Sequence, residues 1–204
     1  MITIVDYGMG NLGSIRNMLA KIGAPSRIVS DPEQVARAQK LILPGVGAFD
    51  AGMESLDRSG LVAVLNERAL EARVPTLGIC LGMHLMARGS EEGRRTGLGW
   101  VDAQVSRFRP SDVALKVPHM GWNRVSVVRP SPLIEALPEE ARFYFVHSYY
   151  VSCRKEHDVL LRTNYGVRFD AAFECGNLWG AQFHPEKSHK FGMQLLRNFA
   201  ERCF

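Results

Sequence analysis

The chain has 204 residues, 46% of them hydrophobic and 23% charged, the composition of an ordinary globular protein with one sizeable core. Its 25 basic and 21 acidic residues leave a net charge of +4 with no dense Lys/Arg block, so no nucleic-acid partner is expected. No apolar run approaches the roughly 20 residues of a membrane span, the opening MITIVD has no basic stretch leading into a long apolar one, and the four cysteines (Cys80, Cys153, Cys175, Cys203) form no CxxC pair, which argues against a zinc ribbon or disulfide scaffold and for a reducing cytoplasm.

In chain order, ITIVDY (2–7) predicts a strand that ends in the Gly-rich turn GMGNLG (8–13). Ile15, Met18, Leu19 and Ile22 form a helical stripe, which Gly23 and Pro25 stop. A short strand is expected over 27–29. Asp31, Pro32 and Gln34 then mark a helix start, with Asp as the cap and Pro at the first helical position. A strand over 40–43 runs into PGVG (44–47). Helical patterns follow over 51–56 and 61–72, then a strand over 74–79 and a helix over 81–87. This β-α-β-α rhythm predicts a parallel sheet flanked by helices. Beyond residue 100 the character changes. Strands are expected over 103–108, 125–128, 143–151, 159–163 and 171–175, with few helical patterns between them, so antiparallel strands extend the sheet in the C-terminal half. A helix closes the chain near 190–202. No linker composition and no repeat interrupts the sequence, and one domain over 1–204 is expected.

Ligands of open parallel sheets bind beyond the carboxyl ends of the strands, and three Gly-rich segments lie there. Gly8, Gly10 and Gly13 have GxGxxG spacing, but no acid is clearly placed for a ribose, and a tight turn is the plainer reading. GICLG (78–82) has the logic of a nucleophile elbow: a strand turns sharply into a helix and projects Cys80 from the turn. The thiolate would sit near backbone N–H groups, with that of Leu81 facing a developing oxyanion. The plain alternative is a thiol filling a gap in the core. A thiol nucleophile needs a base and the base an orienter. In QFHPE (182–186), His184 and Glu186 are two apart and share one side of an extended segment, though a surface turn with incidental charges fits the spacing equally. His157 and His189 lie in polar stretches and read as exposed. His119 and His147 sit among aromatic residues and read as satisfied core side chains. EEGRR (91–95) reads as a solvated loop. A metal site built on Cys80 and His84, or on His184 and Glu186, lacks further ligands at suitable spacing, so none is expected.

Together these segments resemble a class I glutamine amidotransferase, and more narrowly the glutaminase subunits of imidazole glycerol phosphate synthase. DYGMGNL, LPGVGAF, PHMGWN, YFVHSYY and HPEKS carry the likeness, which runs from Asp6 to Ser188. The resemblance implies hydrolysis of glutamine to glutamate and ammonia through a thioester on Cys80, with His184 as acid and base and Glu186 as its orienter, and no cofactor. It implies oxyanion donors at Leu81 and at Val46 or Gly47 once the 44–47 strand flips. It places Gly45, His84, Ser148 and Tyr149 at the substrate. Related sequences commonly carry Gln where this chain has His84, so substitution for that amide and mere packing along the helix are both open. The implied partner is a (β/α)8-barrel cyclase that receives the ammonia, with Asn11, Trp122 and Lys187 toward the interface. Alternatives are a paralogue serving a cyclase-like partner in surface-glycan synthesis, a non-catalytic stabilising subunit, and a free-standing cysteine hydrolase.

Overall fold

The computed structural model describes every residue except Ser111 and Val113. Its first half follows the expected rhythm: β1 (Ile2–Val5), α1 (Leu12–Lys21), β2 (Ser26–Val29), α2 (Pro32–Val35), β3 (Leu41–Gly45), α3 (Phe49–Arg58), α4 (Leu61–Asn66), β4 (Thr76–Cys80) and α5 (Leu81–Leu85). Asp31 caps α2 by accepting from the Glu33 N–H at 3.0 Å, and Pro32 opens the helix. The helix expected over 61–72 changes type: α4 ends at Asn66 and Glu67–Glu71 forms a π-helical turn, closed by the Ala72 N–H on the Glu67 carbonyl at 2.9 Å.

The second half contributes β5 (Ala103–Arg107), β6 (His119–Arg124), β7 (Ser126–Val127), β8 (Arg142–His147), β9 (Tyr149–Cys153), β10 (Val159–Tyr165), β11 (Val167–Cys175), β12 (Leu178–Ala181) and α6 (His189–Arg202). The single strand expected over 143–151 is two strands that part at Ser148. β8 pairs with β6 in a separate two-stranded ribbon, whereas β9 pairs with β5 and β11. Two strands lie outside the sequence reading. β6 alternates the wrong way round for a half-buried strand: His119 and Asn123 face inward while Met120 and Trp122 face out, so the apolar positions do not mark its buried face. β12 is four residues long and contains a glycine.

The main sheet runs β2-β1-β3-β4-β12-β11-β10-β7 among the described residues. The pairs from β2 to β12 are parallel, and those beyond β12 antiparallel. The fold is thus α/β with antiparallel strands added in the C-terminal half, as the pattern predicts. Alternate strand residues feed two cores. Ile2, Ile4, Leu77 and Ile79 pack toward α1 and α6, with Ile15, Leu19, Leu195 and Phe199. Val5, Leu41 and Leu43 pack on the other face with Phe49, Leu56, Leu65 and Leu85 of α3 to α5. The strand order matters most for function. β12, from the far end of the chain, lies parallel to β4 with Ala181 beside Ile79. One residue further on, Gln182 follows β12 where Cys80 ends β4.

Candidate active site

Cys80 has φ 52° and ψ −108°, a conformation L-residues rarely hold and one that costs about 1–3 kcal/mol. The strain rests on the cysteine itself, whereas the flanking glycines serve close packing. A Cβ on Gly82 would fall inside the Leu43 carbonyl, and one on Gly78 would stand 2.8 Å from the Gly82 oxygen and the Met83 nitrogen. Without side chains at 78 and 82, α5 presses onto β3 and β4 and the turn is forced on Cys80.

His184 follows β12 and is fastened from behind. Its N–H donates to the Tyr144 carbonyl at 2.9 Å, and its own carbonyl accepts from the Ser188 hydroxyl at 2.7 Å. Its side chain is buried, with Nδ1 2.8 Å from Glu186 Oε1; that carboxylate also accepts from Asn11 Nδ2 at 3.3 Å. Nε2 is buried with no partner at bonding distance among the described residues. Burial disfavours the charged imidazole, but the Cys80 sulfur and the Glu186 carboxylate outweigh it, and His184 is pushed up to about 9. The imidazolium form of His184 is thus favoured at neutral pH.

The remaining polar contacts of Cys80 run through Gln182 and His84. Gln182 is fully buried. Its Nε2 lies 3.9 Å from Cys80 Sγ, and its Oε1 accepts from His84 Nε2 at 2.7 Å. Burial lowers His84 to about 4, against the smaller opposing effect of Gln182, so the ring is neutral and donates through Nε2. Behind the turn, the Tyr7 hydroxyl donates to the Pro44 carbonyl at 2.7 Å, and burial, with Cys80 second, holds that phenol above its ordinary value.

A cleft of about 480 Å³ opens over these groups, lined by Cys80, Leu81, His84, His184, Val46, Gly47, Ser148, Tyr149, His147, Glu92, Asn11 and Lys187, among others. Most predicted site residues therefore converge. Gly45 does not line the cleft: it is buried in β3 beside Cys80, and a Cβ there would overlap the Tyr7 hydroxyl. Asn11 turns inward to Glu186. Trp122 is 43% exposed, stacked on His189 at 5.4 Å with the Arg142 guanidinium 5.8 Å from its ring. Lys187 is exposed at the rim, 5.8 Å from the Tyr144 ring. His157 and His189 are exposed, as their polar surroundings predict. Among the described residues no three His, Cys, Asp or Glu side chains gather as metal ligands.

Sequence reasoning missed Gln182, His147, Tyr7 and Glu92. Gln182 was legible, because 182, 184 and 186 share one side of an extended segment. Glu92 corrects the reading of EEGRR as a solvated loop: it is half-buried, accepts from the Phe49 N–H at 2.9 Å and lines the cleft. That placement depends on a long-range contact with α3.

The strained cysteine, the buried His–Glu pair and the parallel β4–β12 junction that brings them together are the arrangement expected of a class I amidotransferase. The model for the family "Glutamine amidotransferase class-I" matches residues 3–203, and the chain belongs to that family of enzymes. More particularly, it is 52% identical over 203 residues, a coverage of 100% for each chain, to imidazole glycerol phosphate synthase subunit HisH 2 of Methanococcus maripaludis. It is also 52% identical to the protein of the same name from Pseudomonas aeruginosa, across 98% of this chain and 99% of that one. Among solved structures, a glutamine amidotransferase from Thermotoga maritima superposes with a TM-score of 0.72 at 17% identity, over 99% of this chain and 96% of that one, a likeness of fold alone.

Proposed function

We propose that this chain is the glutaminase subunit of an imidazole glycerol phosphate synthase, hydrolysing glutamine and passing ammonia to a cyclase subunit in histidine biosynthesis. The observation that carries this is the placement of a buried, charge-favouring His184–Glu186 pair beside the strained Cys80 at the floor of one cleft. The Cys80 thiolate attacks the side-chain carbonyl carbon of glutamine. The resulting oxyanion is held by the Leu81 N–H and, after a turn of the 46–47 peptide, by a second donor there; Gly47, at φ 113°, lies in a backbone region open to such a turn. His184 gives its proton to the departing nitrogen, the C–N bond breaks, and a thioester and ammonia remain. Neutral His184 then takes a proton from water as its oxygen attacks the thioester, and glutamate leaves with the thiolate restored. Glu186 holds the imidazole in the Nδ1–H tautomer throughout. Ser148 and Tyr149 take the amino-acid end of the substrate by backbone groups.

Ammonia in bulk water is mostly ammonium and not nucleophilic, so the product needs a docked consumer. The resemblance of the surrounding blocks supports a (β/α)8-barrel cyclase, and exposed Met120 and Trp122 with Lys187 supply an apolar, basic-rimmed face for it. Four free thiols support a cytoplasmic setting, and the two cores on one continuous sheet support reading 1–204 as one domain. No helix among the described residues is long and apolar enough to cross a membrane. The test is glutamate formation with and without the cyclase and its ligand. Wild type is expected to be active with both, and Cys80→Ala inactive; glutamine-supported synthesis by Cys80→Ala would leave only a stabilising role. A second reading has one observation in its favour: both relatives at 52% identity bear the numeral 2 in their names. If the chain is likewise a second copy, its cyclase serves another product. Stimulation by a companion cyclase and not by the histidine-pathway enzyme would establish that.

A further inference from the structure

Beyond the catalytic groups, a line of polar side chains crosses the aromatic core from the cleft to the outer strand β6. His147 lines the cleft, and its Nδ1 is 2.7 Å from the Tyr149 carbonyl. Its Nε2 is 3.1 Å from His119 Nδ1. His119 Nε2 is 3.3 Å from Asn123 Nδ2, which also reaches the Asn164 carbonyl at 2.9 Å. The two carbonyl ends determine every proton in between. The Tyr149 oxygen only accepts, so His147 Nδ1 donates and, in the neutral ring, its Nε2 accepts. His119 Nδ1 must therefore donate, which leaves its Nε2 to accept from Asn123, the amide already oriented by the Asn164 oxygen. Only one assignment satisfies all four contacts.

The surroundings keep both rings in that state. His119 and His147 are 2% and 6% exposed, and Phe108, Phe145, Tyr165 and Phe169 pack around them. Burial holds His119 down to about 4 and His147 well below the ordinary histidine value. The titratable groups facing His147 are His119, His84 and His184, whose charges act in the same direction. A proton on either ring would set two N–H groups head to head.

Building on the glutaminase reading, we propose that His119 and Asn123 are positioning residues that, through His147, fix the Tyr149 peptide and so tie the substrate-binding corner at Ser148 and Tyr149 to the exposed strand β6. β6 has the alternation this needs: His119 and Asn123 face inward, and Met120 and Trp122 face out, 61% and 43% exposed. Any molecule that seats on Met120 and Trp122 presses on the strand that holds the far end of this line.

The test uses the full chain with its cyclase present. His119→Leu removes both imidazole contacts and is expected to raise the glutamine KM about tenfold with kcat within about threefold, since the corner is misplaced and the nucleophile is not. Alkylation of Cys80 by iodoacetamide is expected at the wild-type rate. His119→Asn keeps a donor near the Nδ1 position and is expected to recover most of the lost affinity. Asn123→Ala, on a half-buried side chain, is expected to shift KM in the same direction by less. ¹⁵N-histidine spectra of the unmodified protein provide a readout independent of turnover: both rings are expected as neutral Nδ1–H tautomers down to pH 5. Nε2–H tautomers, or an unchanged KM in folded His119→Leu and Asn123→Ala, overturn the proposal. So do parallel losses of KM, kcat, alkylation and stability with no recovery in His119→Asn, which would make His119 a packing residue. Absence of glutamate formation by the wild-type pair would instead refute the glutaminase reading, while the spectra still decide the hydrogen-bonded line.

Discussion

Acid should unfold this protein through its buried neutral histidines, above the range in which carboxylates titrate. His84 and His119 are each held down to about 4 against an ordinary value of 6.5, both chiefly by burial. The unfolded chain therefore takes up a proton at each site between pH 6.5 and 4 that the folded chain refuses, and stability falls as pH drops through that window. With those two values, each group contributes about 2 kcal/mol less at pH 5 than at pH 7, or about 4 kcal/mol for the pair, out of the 5–15 kcal/mol typical of a domain. His147 acts in the same direction. His184 does not add to the slope here. Its folded value is raised to about 9, so its contribution is fully present below 6.5 and is lost only as pH rises through 9. The assay is urea unfolding followed by tryptophan fluorescence at pH 7, 6 and 5, on the wild type and His84→Gln. Gln at 84 keeps an amide donor for Gln182 but does not titrate. Its stability is expected to fall by about 2 kcal/mol less between pH 7 and 5. If the two proteins lose stability in parallel, His84 is not held neutral by burial and the reasoning fails.

Three further outcomes follow from the turn at Cys80 and the pair behind it. Cys80→Gly and Cys80→Ala should both lack glutaminase activity, yet the glycine variant should be more stable than the alanine one by about 1 kcal/mol, because φ 52° is strained for any side chain; denaturant midpoints in the reverse order would contradict this. Gly82→Ala, whose Cβ enters the Leu43 carbonyl, should cost about 3 kcal/mol or more, whereas Gly13→Ala in α1, with open space around it, should be neutral or stabilising. Thermal melts of the two alanine variants compare them directly. Glu186→Gln keeps a hydrogen-bond acceptor for His184 and removes a charge. It should bring the His184 midpoint down from about 9, read by NMR titration, and reduce glutamate formation at pH 7 by about a hundredfold; an unmoved midpoint would assign the shift to something other than Glu186.

The legible parts of the sequence were those with local causes. The Asp31–Pro32 cap, the helical stripe through Ile15 and Leu19, and the apolar runs of β1, β3 and β4 each depend on residues a few positions apart, and each appears as expected. The elbow was legible for the same reason, since two glycines around a cysteine prescribe a tight strand-to-helix turn. Local pattern failed where a segment's surroundings lie far away in the chain. β6 was not legible because its alternation is inverted, with polar His119 and Asn123 inward and Met120 and Trp122 exposed. β12 is too short to read until β4 and β11 are on either side of it. Glu92 reads as a loop charge until the α3 N-terminus is beside it.

The sequence by itself determined the chemical inventory: a thiol on a Gly-flanked elbow, a histidine with a carboxylate two positions on, and an alternating first half that must make a parallel sheet. Only the tertiary structure decided that these parts meet. Parallel pairing of β12 with β4 brings position 182 beside position 80, a contact across 102 residues that no period in the chain encodes. Tertiary packing also decided the state of the histidines. An imidazole's charge depends on burial and on which carbonyls and carboxylates face it, and so the same side chain is held neutral at 119 and favours its charged form at 184.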